Sequence, residues 1–152
     1  MSRVIFLDTN IVLRLLDPAA PEHPQVRAAI EVLEARHDTL VIGLQVLVEM
    51  WVVATRPTAN NGLGWSPAVA RGVLDAMRSR FPLLREDDST ALRWLDLVTG
   101  LPVVGKRAHD ARIAALMATN SVQHILTLNV DDFRSMPGIV AIHPATLATG
   151  SP

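Results

Sequence analysis

The sequence predicts an α/β domain, a three-layer α/β/α sandwich around a mostly parallel sheet. Three observations predict it. Short apolar runs of strand length recur along the chain, longer segments of helical periodicity separate them, and acidic or amide residues stand just after the runs. Parallel strands need crossover connections, usually helices, so alternation of this kind points to a sheet covered on both faces.

The first run is "RVIFL", β-branched and aromatic, closed by Asp8, Thr9 and Asn10. All three side chains can accept from the free N–H groups of a helix start, so a capped helix is expected over Asn10 to Asp17. "DPAAPEHP" is then a turn. From Pro24 to Ala35, Val26, Ala29, Ile30 and Leu33 recur at helical spacing with charges between them. "TLVIG" is a short second strand. "LQVLVEMWVVATR" follows as a helix apolar on nearly every side, which predicts that it is largely buried, and Pro57 ends it.

"PTANNGLGW" has loop composition and is expected as a plain connection, although it is distinctive enough to shape substrate access. Ser66 and Pro67 then read as N-cap and first residue of a helix reaching about Arg80. "FPLL" is a candidate short strand. Asp87 to Thr99 starts on capping residues and stops at Gly100, with Pro102 beyond. "KRAHDARIAALMATN" is helical again. "HILTLNVDDF" and "GIVAIHP" supply two more short strands separated by a turn. One domain over residues 1–145 is expected, with 146–152 as a flexible tail of small residues.

Composition narrows the functional classes. At 152 residues and 49% hydrophobic content the chain has enough apolar material for a real core, and only 19% of it is charged. No apolar stretch approaches the roughly 20 residues that span a bilayer, and "MSRVIF" lacks a secretory pattern, so no membrane association is expected and the cytoplasm is the expected compartment. The absence of cysteine removes disulfides, thiolate nucleophiles and cysteine-bound zinc. A net charge of −1 provides no bulk attraction for a polyanion, so a nucleic acid must be held by a local basic cluster. Only Lys106 among the fourteen basic residues is not arginine, and tyrosine is missing, which disfavours a stacking platform for single-stranded bases.

Acids carry the chemical signal. Ligands in open parallel sheets bind beyond the carboxyl ends of the strands, and Asp8 stands at such an end. Asn129, Asp131 and Asp132 follow "ILTL" at another. Glu49 lies inside the most apolar helix, where an ionised carboxylate is costly unless it is paired or bound to a metal; otherwise it occupies a solvated edge shared with Gln45. Asp110 precedes Ile113, Ala114 and Met117 at spacings that put it on or beside the buried face, or else it merely complements the helix dipole. Three or four carboxylates gathered at one rim repel one another unless a cation neutralises them. Mg²⁺, or Mn²⁺ with the same oxygen preference, suits such a set because it keeps several waters. The histidines at 23, 37, 109, 124 and 143 show no zinc-ligand spacing.

The order of these acids and their surroundings resembles the PIN-domain ribonucleases, and within them the toxins of VapBC-type toxin–antitoxin pairs. "FLDTNIVLRLL", Glu49 in its apolar helix, "GKRAHDARIAALM" and "ILTLNVDDF" followed by "PGIVAIHP" carry the likeness over nearly the whole chain. The resemblance implies a parallel sheet of about five strands with acids at its carboxyl edge. It assigns catalytic and metal-binding roles to Asp8, Glu49, Asp110 and, with less exact correspondence, Asp132. Asn129 stands where many relatives carry an acid and is assigned a polar supporting role with Thr9, Asn10 and Thr127. Asn10 is expected to hold Asp8, and Thr127 to fix the last loop. Arg14, Lys106, Arg107 and Arg112 are the expected phosphate contacts.

By the same resemblance the substrate is RNA, hydrolysed with Mg²⁺ or Mn²⁺ to a 5′-phosphate product, the partner is a cognate antitoxin protein, and the chain forms a homodimer. A dehalogenase-like phosphotransferase would need a second acid where Asn10 stands. A receiver domain would need paired acids after the first strand. A PIN fold that binds RNA or a partner without cutting is the remaining alternative.

Overall fold

The structure is a computed structural model, and it describes residues 2–148. Four strands, β1 (Val4–Leu7), β2 (Thr39–Val41), β3 (His124–Leu126) and β4 (Val140–Ile142), form one sheet in the order β2-β1-β3-β4. Every pairing is parallel, with Ile5 opposite both Leu40 and His124, so the carboxyl ends of all four strands share one edge. β1 is central, and its Ile5, Phe6 and Leu7 are fully buried. A parallel strand covered on both faces reads as a continuous apolar run, which is why "VIFL" shows no alternation.

The expected fifth strand shrinks to a single bridge. Leu83 of "FPLL" pairs with Ile42 just past β2, through Ile42 N to Pro82 O at 3.0 Å and Leu84 N to Ile42 O at 2.9 Å. Pro82 has no N–H to extend the ladder.

Seven helices flank the sheet among the described residues: α1 (Thr9–Leu16), α2 (His23–Ala35), α3 (Leu44–Thr55), α4 (Pro67–Arg80), α5 (Asp88–Gly100), α6 (Arg107–Thr119) and α7 (Pro144–Ala148). α5 packs on α6, while α1, α2, α3, α4 and α7 form a second connected group. The predicted face of α2 is the observed one, since Val26, Ala29, Ile30 and Leu33 are wholly buried. Ser66 Oγ accepts from Val69 N at 3.2 Å and starts α4. At α5, Asp87 and Thr90 form a reciprocal capping box.

Two expectations change. α3 is apolar around its circumference but not buried around it: Leu44, Val48 and Val52 are about half exposed, at 50%, 52% and 51%. It follows β2, one of the two edge strands, and so has less of the molecule to lean on. Second, the segment set apart as a tail begins inside α7, whose Leu147 packs against the core; residues 149–152 lie outside the described residues.

The "RPTANNGLGW" connection folds back over the end of α3. Leu63 N donates to Val53 O and Trp65 N to Ala54 O, at 2.9 and 2.8 Å, satisfying carbonyls that the helix leaves open. A side chain at Gly62 would collide with the Arg56 carbonyl, so only glycine permits this approach. No helix among the described residues is long and apolar enough to cross a membrane.

Candidate functional site

Asp8 is both a helix cap and a buried acid. β1 ends at Leu7, the backbone stays extended for one residue, and α1 begins at Thr9. Asp8 N continues the sheet ladder to Leu126 O at 3.1 Å, fixing the residue at the junction of β1 and β3. Its Oδ1 accepts from Thr9 N at 2.8 Å, as a cap does. Its Oδ2 accepts from Thr127 Oγ1 at 2.7 Å and from Asn10 Nδ2 at 3.2 Å, which capping does not require. Thr127 follows β3 and in turn accepts from Asn129 N at 3.0 Å, while Asn10 Oδ1 accepts from Leu128 N at 3.1 Å. The first and third strand ends are thus laced together around one carboxylate, which is 8% exposed. Burial is the largest influence on its pKa and raises it. The Thr127 and Thr9 hydrogen bonds pull it down, the charges of Glu49 and Asp132 push it up, and the balance lies above the usual aspartate range.

The other acids arrive from α3, α6 and the 3₁₀ turn Val130–Phe133. Glu49 is half-buried on α3, and its Oε1 accepts from Gln45 Nε2 at 2.9 Å. Gln45 is buried, so the expected solvated edge holding both residues does not exist. Asp110 lies in the first turn of α6, half-buried. Burial first, then the charges of Asp132 and Asp8, raise its pKa to about 6, with Arg107 opposing and Glu49 adding to the rise. Asp8, Glu49, Asp110 and Asp132 therefore share one electrostatic field at the carboxyl edge of the sheet. Asp131 is exposed and pairs with Arg134 at 2.9 Å, and Asn129 lends its backbone N–H. Of the residues after β3, Asp132 is the one whose charge reaches the other acids.

The four carboxylates do not close on one point. Among the described residues, no three His, Asp or Glu side chains converge tightly enough to hold an ion as they stand. Two neighbours supply further polar atoms: Thr9 Oγ1 and Gln45 Oε1 are buried without a hydrogen-bond partner. An all-oxygen set with spare polar atoms beside it fits a hydrated divalent cation, which keeps waters in its shell, rather than a closed protein cage.

The basic residues divide into two kinds. Arg14 pairs with Glu22 at 3.2 Å, and Arg112 makes a two-pronged pair with Glu86 at 2.9 and 3.0 Å. Arg107 donates to the Asp132 carbonyl at 2.8 Å, joining the start of α6 to the acid-bearing turn, and Lys106 is exposed beside it. Sequence reasoning missed two partners here. Glu86 gave no signal of its own, and the place of Gln45 one turn before Glu49 was read as a shared wet edge rather than as a contact.

Comparison with known proteins places the fold in a family. The model of the PIN domain matches residues 5–139. No curated protein sequence matches the chain. Among solved structures, VapBC from Salmonella typhimurium, bound to DNA, is similar with a TM-score of 0.69 and 21% identity, covering 95% of this chain and 99% of that one. VapBC2 from Rickettsia felis, bound to a promoter DNA fragment, gives 0.68 and 19%, covering 92% and 98%. A toxin–antitoxin complex from Klebsiella pneumoniae gives 0.62 and 22%, covering 92% and 97%. At these identities the likeness is one of fold, and the family model spans far more than half of the chain: it belongs to the PIN-domain family.

Proposed function

We propose that the chain is a metal-dependent endoribonuclease and the toxin of a toxin–antitoxin pair, working in the cytoplasm. One observation carries the reading: acids from β1, α3, α6 and the turn after β3 act on one another at the carboxyl rim of a parallel sheet. The fold likeness to toxin–antitoxin complexes supports the biological class and an antitoxin protein as partner; a homodimer as the assembly is implied by the family resemblance of the sequence.

Asp8, Glu49, Asp110 and Asp132 would hold Mg²⁺ or Mn²⁺. When bound, the ion supplies a nucleophilic hydroxide near neutral pH and neutralises charge growing on the phosphate oxygens. The remaining work belongs to the chain. Thr127, Asn10 and the Thr9 amide hold Asp8 in one orientation, so its oxygens need no reordering when substrate arrives. The raised pKa of Asp110 makes that carboxyl a group that changes charge near neutral pH unless a cation stabilises its ionised form. Arg107, hydrogen-bonded to the Asp132 carbonyl, and the exposed Lys106 beside it are the expected basic contacts for RNA phosphates that no carboxylate engages among the described residues. Arg14 and Arg112 join them only by leaving Glu22 and Glu86.

Asp8→Asn tests the reading. RNA cleavage with Mn²⁺ by the purified chain, freed of any partner, should fall by about a thousandfold or more, with an unchanged circular dichroism spectrum. EDTA should abolish wild-type cleavage. RNA binding without cleavage in either protein would instead make the chain a non-catalytic member of its family.

A further inference from the structure

One side chain links the helix bearing Glu49 to the helix bearing Asp110. Gln45 is 5% exposed, and its Nε2 donates to Glu49 Oε1 at 2.9 Å and to the His109 carbonyl at 3.2 Å. Both partners can only accept at those atoms, so the amide nitrogen must face them and the amide cannot be reversed. Its Oε1 points away with no donor among the described residues. A buried amide with one end unsatisfied is a poor way to fill space, since an apolar side chain of the same length would carry no such cost. Packing therefore does not account for Gln45. The hydrogen bonds across the rim do: among the described residues this is the one side-chain hydrogen bond between α3 and α6.

We propose that Gln45 is a positioning residue, which fixes the Glu49 carboxylate relative to the first turn of α6 and so to Asp110. This rests on the nuclease reading above. Held in this way, Glu49 meets the cation without first searching rotamers, and the acid of α6 keeps its place when the charge of the site changes. Groups that orient ligating carboxylates act on metal affinity more than on fold, and their loss typically weakens binding by about 10–100-fold.

Gln45→Met keeps length and apolar packing and removes both donated bonds; Gln45→Leu is the second variant should the first fail to fold. In metal-stripped protein with a native near-ultraviolet spectrum, Mn²⁺ titrated by calorimetry should bind about tenfold more weakly, and kcat on RNA should fall while KM stays unchanged. A metal-free readout separates this proposal from the nuclease reading. Trp94 Nε1 donates to the Ala108 carbonyl at 2.9 Å, next to His109, so the fluorine resonance of 5-fluorotryptophan at position 94 reports on the start of α6. That resonance should shift or broaden in Gln45→Met without any metal. A folded variant with wild-type Mn²⁺ affinity overturns the proposal, as does an unmoved Trp94 signal. Wild-type protein that binds no Mn²⁺ sinks the nuclease reading, and the Trp94 signal then decides alone whether Gln45 holds α6.

Discussion

α3 and α6 each carry one acid of the rim, and the more apolar of the two is not the more buried. α3, "LQVLVEMWVVAT", is the more apolar, yet Leu44, Val48 and Val52 face outward. α6 opens on "RAHDAR", yet Ala111, Ile113, Ala114, Ala115, Leu116 and Met117 are all buried, around nearly the whole helix. Small side chains let α6 lie close to its neighbours, and it packs tightly with α5. α3 leaves the sheet beside its outer strand. Burial is therefore decided by where an element sits, and apolarity shows only what the element can tolerate.

Substitutions can break or sharpen that contrast. After the loss of cleavage expected of Asp8→Asn, the largest effect should come from the buried centre of α6. Met117 is fully buried, and Met117→Ala should cost about 2–5 kcal/mol in urea unfolding. A loss no greater than that of a surface substitution would mean that α6 is not the packed element described above.

The second prediction concerns charge. In EDTA, the folded Asp110 carboxyl keeps its proton up to about pH 6, while the unfolded one loses it near 3.8. The native state binds more protons in that window, so this residue's contribution to stability falls as pH rises from about 4 to above 6. Asp38 works the other way. Burial pushes its pKa up, but hydrogen bonds from Arg3 and the charges of Arg3 and Arg36 outweigh this and hold it low, so its contribution is lost only as pH falls below the usual aspartate range. Thermal melts should therefore show Asp110→Asn gaining on wild type between pH 4.5 and 7.5, with Mg²⁺ narrowing the gap. An equal difference at both pH values would show that neither burial nor the other acids raise the Asp110 pKa.

The smallest effect belongs to the outer stripe of α3. Val48→Ser, at a position 52% exposed, should change stability by no more than about 0.5 kcal/mol. A loss comparable to that at Met117 would mean that this face is covered in solution, and sedimentation of the wild type would reveal the cover.

Much of the fold was legible in the chain because its signals are local. "VIFL" stopping at Asp8 marked the first strand and its carboxyl end, and Ser66-Pro67 and Asp87 marked helix starts through capping that needs only a few neighbouring residues. Asp8, Glu49, Asp110 and Asp132 stood out as acids at strand ends or beside apolar faces. Apart from Asn10 holding Asp8 and Thr127 fixing the last loop, which the family resemblance implied, the contacts that organise them were not legible. Arg112 looked like a phosphate contact and is engaged by Glu86, 26 residues away in sequence. Gln45 looked like the companion of Glu49 on a wet edge, and its second partner is the carbonyl of residue 109, 64 positions on. Local pattern has no information on which distant carbonyl a side-chain amide will meet.

The sequence by itself determined the alternation of strands and helices, the caps, the apolar interior and the residue types that can bind a hard cation, because backbone propensity and hydrophobic periodicity act over a few residues at a time. Only the tertiary structure decided which faces are covered, that the fifth strand shrinks to one bridge, and that burial and the charges of acids from distant segments raise the proton affinity of Asp8 and Asp110. Those outcomes depend on sums over neighbours brought together by folding, and desolvation and Coulomb repulsion exist only once those neighbours share a place.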